Sequence, residues 1–210
     1  MAATTFVLVP GACHGGWWFQ PLVAALEEAG HRARAVTLSG LGPAGMAGVG
    51  QVNLETHVEE VTARLDGEDG ADPVDGAEVV LVGHSYAGSV ISGAADRSPH
   101  LVRALVYLDA FVPDDGDSCW SMTNDEQRGW YVAGAGDSGL AVDPLPFFDQ
   151  RARPHPLATL VQRSRLGGAW QQVPDKVYVA ATGWPGGLAG SPFAATARRV
   201  EQDPAWRYEE

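Results

Sequence analysis

The chain has 210 residues, of which 45% are apolar and 19% charged, enough for one globular domain (1–210) with a buried core. Its formal net charge is −12, from 26 Asp plus Glu against 14 Lys plus Arg, and Lys176 is the only lysine. No basic stripe is left to hold a phosphate backbone or an anionic bilayer, so nucleic-acid and membrane roles are excluded. The N-terminus lacks a basic leader region and no stretch approaches the ~20 apolar residues of a membrane span, so a cytoplasmic protein is expected. Cys13 and Cys119 are too few for a disulfide scaffold and lack the spacing of a zinc site, so both thiols are expected to be reduced and no metal is expected.

In chain order, TFVLV (Thr5 to Val9) reads as a strand stopped by Pro10-Gly11. A helix carrying Trp18, Leu22, Ala25, Leu26 and Ala29 on one face follows, ended by Gly30. A shorter strand around Ala33 to Leu38 leads into the glycine-rich loop SGLGPAGMAGVG. Asn53 is placed to cap a helix with Leu54, Val58, Val61 and Leu65 at helical spacing, followed by the acidic linker DGEDGADPVDG. AEVVLVG (Ala77 to Gly83) is a continuous apolar strand, HSYAGSVISGAADRS a helix of small residues, and RALVYLDAFVP the next buried strand. Alternating strands and helices with near-uniform apolar strands predict a parallel, doubly wound α/β sheet.

From Asp114 to about Gly168 there is no strand signal; Trp120, Trp130, Tyr131, Phe147 and Phe148 stand among turn formers and short helical stretches. An insertion folded over the strand ends (about 114–168) explains this better than a second domain, which would be too short for its own core. KVYVAAT then returns as a strand, a helix runs from Phe193 to Val200, and AWRYEE starts one more strand.

GHSYAG, Gly83 to Gly88, lies between the most apolar strand and a helix, the context of a nucleophile elbow that lifts Ser85 above the sheet edge. Ala87 replaces the second glycine of the common G-x-S-x-G pattern, a sterically mild departure. The alternative is an ordinary strand-to-helix turn with a capping serine. The helix N-terminus favours negative charge at this corner, and the Pro10 to Trp17 loop after the first strand is placed to supply a second oxyanion donor, giving the backbone N–H groups of Ala12 and Tyr86 as the hole.

FVLVPGACHGGWW, LVGHSYAGSVI, VYLDAFVPDDG and the closing DPAWRYEE resemble the α/β-hydrolase superfamily, in the branch of the plant hydroxynitrile lyases, the plant methylesterases and related bacterial hydrolases. The resemblance implies an α/β-hydrolase fold with a mostly parallel sheet and a helical cap, a Ser–His–acid triad, no cofactor, and a small apolar substrate under the cap. A homodimer is an assembly open to it. The family's acid often follows the penultimate strand, yet Val177 to Val200 contains no Asp or Glu. Asp109 at the end of LVYLD, in a segment similar to that of dehalogenases with a displaced acid, is therefore the expected acid; a turn or cap role is its alternative.

The family's histidine follows the last strand, beyond the equivalent of Glu210, so the expectation is that the native chain continues there with a base-carrying loop and the family's final helix, absent from this sequence; a natural variant that lost its triad is the other reading. Among the six histidines, His31 is expected at a helix end, His57 on the edge of an amphipathic helix, His100 in an exposed turn, and His14 and His84 as satisfied structural residues. His155 in RPHPLATL could hang over the site as a substitute base, although a cap histidine in a proline-rich turn is the preferred reading.

The function expected is ester hydrolysis with Ser85 as nucleophile. Trp120, Trp130 and Tyr131 would face a small apolar ligand or simply pack the cap on the sheet. Lyases of this branch carry a threonine at the position of Gly11 and a lysine beside the histidine, which Gly11 and Lys176 do not match. A ligand-binding or cyclase-type member without a complete triad is the alternative from another class.

Overall fold

The computed structural model describes residues 3–43, 48–67 and 79–210. Most of the acidic linker and the first two residues of AEVVLVG lie outside these residues, as does part of the glycine-rich loop. Six strands form one parallel sheet: β1 (Thr5–Val9), β2 (Arg32–Ala35), β3 (Val79–Ser85), β4 (Val102–Ala110), β7 (Asp175–Val179) and β8 (Arg207–Glu209). Their order is β2-β1-β3-β4-β7-β8. The reversal of winding between β1 and β3 gathers the loops of this region at the strands' C-terminal edge, where such sheets place their sites.

Each strand divides its apolar residues between two cores at period two. Val7, Val79, Leu81, Leu105 and Tyr107 face a large core built with α2 (Leu54–Leu65), α3 (Ala87–Arg97) and α7 (Ala194–Glu201). Leu8, Val80, Val82 and Ala104 face a smaller one under α1 (Gln20–Glu28), whose Leu22, Val23 and Leu26 stay half-buried. Asn53 caps α2 as expected: its side chain accepts from Thr56 N–H, and the Thr56 hydroxyl accepts from Asn53 N–H, a reciprocal box.

Between β4 and β7 lie α4 (Cys119–Met122), α5 (Asp125–Gly134) and α6 (Leu157–Val161). This region also contains strands that the sequence did not signal: β5 (Ala141–Val142) pairs antiparallel with β6 (His155–Pro156). At two residues each they are too short to show a hydrophobic period. Gly116 N–H donates to Ser164 O at 2.9 Å and Leu166 N–H to Asp115 at 2.9 Å, so the insertion leaves and rejoins the sheet at one place. Among the described residues, no helix is long and apolar enough to cross a membrane.

Candidate active site

Three non-glycine residues among those described have positive φ, and they stand at or just beyond the C-terminal ends of neighbouring strands: Cys13 (68°) after β1, Ser85 (55°) ending β3 and Asp109 (43°) near the end of β4. Each such residue costs about 1–2 kcal/mol relative to ordinary backbone, and strain of this kind collects where the surrounding structure enforces a functional geometry.

Ser85 closes β3 and is half-buried. After His84 pairs with Leu108, the register slips so that Ser85 faces Ala110. Asp109 is thus the extra residue of a bulge, which turns it out of the ladder beside the serine. Phe111 N–H donates to Ser85 O at 3.1 Å and fixes the two strand ends together. The close passage of α3 over this corner explains Gly88: a Cβ there would lie 1.9 Å from Phe111 O. Ser85 therefore sits on a sharp corner at the head of an eleven-residue helix, whose N-terminal N–H groups face the strand ends.

The loop after β1 approaches the same corner. A Cβ on Gly11 would lie 2.7 Å from His84 Nδ1 and 3.0 Å from Ser85 Cβ, so only glycine lets the backbone come this close. Gly11 to His14 form a tight turn closed by His14 N–H to Gly11 O at 3.2 Å, with Cys13 left-handed in third position, the type II arrangement. Ala12 lies within this turn, and Tyr86 opens the α3 corner one residue after Ser85, with αR backbone. The side chain of Tyr86 is buried and its hydroxyl bonds His57 Nδ1 at 2.9 Å.

Asp109 is 7% exposed. Its Oδ2 accepts the Trp184 indole N–H at 2.8 Å and its Oδ1 the Ala181 N–H at 3.3 Å, both from the loop after β7. Burial raises its pKa above the usual aspartate value, and these two donors pull part of the way back. Trp184 has no counterpart in the reading of the sequence; a tryptophan in a glycine-rich loop carries no spacing signal.

The histidines are placed as follows. His57 is not on the edge of its helix but fully buried, between Tyr86 OH and the Ser39 carbonyl, which accepts from Nε2–H at 2.9 Å. Those two polar partners are what let an imidazole occupy the apolar face of α2. His155 is a fully buried histidine of the cap, with Nδ1 accepting Cys13 N–H at 3.2 Å and Nε2 2.8 Å from Thr159 Oγ1, so neither ring nitrogen is free to act as a base. His14 Nδ1 donates to Ala12 O at 2.7 Å. His84 stacks on Trp18 with ring centroids 4.3 Å apart, but its buried Nδ1 has no hydrogen-bond partner, so it is not the satisfied residue expected. Burial holds its pKa down to about 3. His31 follows α1 and accepts Thr4 N–H at 3.4 Å, and His100 is exposed.

Above the turn runs a chain of rings: His14 to Phe148 at 4.8 Å, Phe148 to Trp130 at 6.1 Å, Trp130 to Tyr131 at 5.3 Å and Tyr131 to Trp120 at 6.4 Å. Tyr131 is buried within the cap, Trp130 is half-buried with its N–H on Asp143 O, and Trp120 is exposed. Cys13 and Cys119 are free, buried thiols, each with its pKa pushed up to about 12 chiefly by burial. Lys176 lies at the far end of the sheet, near the start of β7, with its ammonium on the carbonyls of Gln171 and Val173. Among the described residues, no group of three or more His, Cys, Asp or Glu is arranged to hold a metal ion.

The chain is 36% identical to a carbendazim hydrolyzing esterase of Nocardioides sp., over 96% of this chain and 88% of that protein. It is 42% identical to an alpha-hydroxynitrile lyase of Arabidopsis thaliana, but over only 52% of this chain and 40% of that one. Among solved structures, an extracellular alpha/beta-hydrolase from a Paenibacillus species, described as sharing structural and functional homology with tobacco salicylic acid binding protein 2, superposes with a TM-score of 0.74 at 21% identity, over 98% of this chain and 88% of that one. The profile of the Alpha/beta hydrolase family matches residues 6–209. The chain belongs to the alpha/beta hydrolase family.

Proposed function

We propose that the chain is a serine hydrolase that cleaves small apolar esters through an acyl-enzyme. The observation that carries this reading is the convergence of Cys13, Ser85 and Asp109, the three strained non-glycine residues among those described, on one edge of the sheet. The esterase related along almost its whole length supports it.

In this reading Ser85 Oγ attacks the ester carbonyl and its proton passes to an imidazole. The N–H groups of Ala12 and Tyr86 hold the oxyanion, the alcohol leaves with the proton, and water then releases the acid by the reverse sequence. Asp109 orients that imidazole; a carboxylate offers about four lone-pair positions, so two remain beside the Trp184 and Ala181 bonds. The base is not assigned to His57 or His155, both of whose ring nitrogens are taken elsewhere, nor to His14, whose Nδ1 is held by the Ala12 carbonyl. Phe148, Trp130 and Trp120 supply an apolar wall that suits an aromatic acyl or alcohol group, with Tyr131 behind them. Lyase chemistry is disfavoured at Gly11, where any side chain would meet His84.

Hydrolysis of short p-nitrophenyl esters by the wild type and Ser85→Ala tests the proposal. Loss of the nucleophile removes ~10⁴-fold or more of the rate. Hydrolysis that survives the substitution overturns it, and a wild type that binds aromatic ligands without hydrolysing esters favours the binding-protein reading instead.

A further inference from the structure

We infer that Trp184 is a positioning residue for the acid of the site: from the loop after β7 its indole N–H donates to Asp109 Oδ2 at 2.8 Å, and together with the Ala181 N–H on Oδ1 it fixes the plane of the carboxylate that orients the imidazole. The inference rests on the role given to Asp109 in the proposed hydrolysis.

Asp109 leaves the β4 ladder at a bulge, with a φ of 43°, so strand pairing does not set where its carboxylate plane lies. The last torsion of an aspartate is broad and roughly two-fold, and a single hydrogen bond lets the carboxylate swing about it. Two donors on different oxygens remove that freedom. The Ala181 bond, at 3.3 Å, is longer than the ordinary N–H···O range of about 2.7–3.2 Å, whereas the Trp184 bond lies within it. Trp184 is thus the firmer of the two holds, and one lone-pair position on each oxygen stays open for the imidazole.

The loop presents this indole from a rigid base. Trp184, Pro185, Gly186 and Gly187 form a turn closed by Gly187 N–H to Trp184 O at 2.7 Å. Pro185 presets its own φ in second position, and Gly186 in third has φ 84° and ψ 12°, the left-handed geometry of a type II turn. Gly190 folds back on it so closely that a Cβ there would lie 2.0 Å from Pro185 O. The residues on either side of Trp184 are exposed, while Trp184 itself is half-buried and packs against the larger core. Since the turn closes through its own backbone, the indole bond serves the carboxylate rather than the turn.

The same bond favours the charged form of the acid. Burial raises the Asp109 pKa, and the Trp184 donor is the larger of the two interactions that oppose the rise. The titratable groups facing Asp109 are Tyr178 of β7 and Tyr208 of β8, whose pKa values are both raised, first by burial, with the Asp109 charge adding to the rise. Both phenols are therefore neutral at neutral pH and bring no positive charge to the carboxylate; Tyr178 OH donates instead to Ala110 O at 3.0 Å.

Two substitutions separate the donor from the ring. Trp184→Phe keeps an aromatic ring and removes the N–H; Trp184→Gln removes the ring and returns an N–H two bonds beyond Cγ, where the indole nitrogen stands, without adding a titratable group. Hydrolysis of p-nitrophenyl esters is measured for both at pH 8 beside Ser85→Ala and Asp109→Asn, and the Asp109 carboxyl is titrated by carbon NMR. Trp184→Phe is expected to lose about tenfold to hundredfold in kcat with little change in KM. Its Asp109 carboxyl should titrate about one pH unit higher than in wild type. Trp184→Gln should recover most of kcat and bring the titration back toward wild type, the reverse of the order that a packing role of the ring would give. Where either variant does not fold, 3-benzothienylalanine at position 184, which keeps the indole shape with sulfur in place of N–H, is compared with wild type and should show the same losses as Trp184→Phe. A kcat in Trp184→Phe equal to or above wild type, a Trp184→Gln no faster than Trp184→Phe, or an unmoved Asp109 titration overturns the inference while Ser85→Ala and Asp109→Asn stay slow. Undiminished hydrolysis in Asp109→Asn overturns instead the assignment of the acid, and a wild type without Ser85-dependent hydrolysis overturns the esterase reading; either takes the inference with it.

Discussion

Trp184 donates its indole N–H to Asp109 Oδ2 at 2.8 Å, tying the loop after β7 to the bulge near the end of β4. The carboxylate is buried enough for its pKa to rise, and this donor is the larger of the two interactions that oppose the rise. A hydrogen bond to a charged group contributes about 1.5–3 kcal/mol. Trp184→Phe should therefore raise the Asp109 pKa further and lower stability at neutral pH. Because the lost bond matters most to the ionised form, the gap in Tm between variant and wild type should narrow as pH falls through the carboxyl pKa. Thermal unfolding between neutral and acid pH checks this; a gap that widens toward acid contradicts it.

Burial lowers the pKa of four histidines, His14, His57, His84 and His155. A group with a depressed folded pKa contributes stability that is complete above its unfolded value, about 6.5 for histidine, and is lost as pH falls toward the folded one. Each adds a slope of up to about 1.4 kcal/mol per pH unit. Asp109, with a raised pKa, acts with the opposite sign but is a single group. The expected profile is a steep loss of Tm below about pH 6.5, and a flat profile down to pH 4 would show that the imidazoles do not stay neutral in the fold.

His57→Leu removes the partner of the Tyr86 hydroxyl and that of the Ser39 carbonyl together. The buried Tyr86 hydroxyl left without this partner costs about 1–3 kcal/mol, while the Ser39 carbonyl lies on an exposed residue. The variant should unfold at markedly lower denaturant concentration than wild type at pH 7, with a shallower loss of stability toward acid. Chemical denaturation at two pH values measures both.

Two glycine-to-alanine changes should have opposite signs. At Gly88 the new Cβ would lie 1.9 Å from Phe111 O, so backbone must move, at a cost of about 3 kcal/mol or more. Gly129, inside α5, has open space around its Cβ position, and alanine there should stabilise by roughly 0.5–1 kcal/mol. Denaturant midpoints of the two variants decide the matter.

The sheet and the serine corner were legible because they depend on local signals. Apolar runs such as Val79 to Val82 mark buried parallel strands, and Gly83, Ser85 and Gly88 satisfy steric needs within a few residues of chain. The support of the site was not legible, because it is assembled over long separations. His57 looks like an edge residue until Tyr86, 29 positions away, supplies its partner. Cys13 shows no sign of left-handed backbone, and the partner of its N–H, His155, lies 142 positions away. Trp184 meets Asp109 across 75 positions, and β5 and β6 are too short for any period to appear.

The position of β1 in the interior of the sheet has a consequence for synthesis on the ribosome. Thr5 faces Arg32 on one side and Val79 on the other. The pairing with β2 is available soon after its residues emerge, while the other edge of TFVLV must wait until the chain has grown past Gly83. During that interval the nascent protein presents an unpaired row of backbone donors and acceptors along an apolar strand, the kind of edge that recruits a second chain. The wait between residues 36 and 83 is thus the window in which a slow ribosome favours aggregation and a bound chaperone has most to protect.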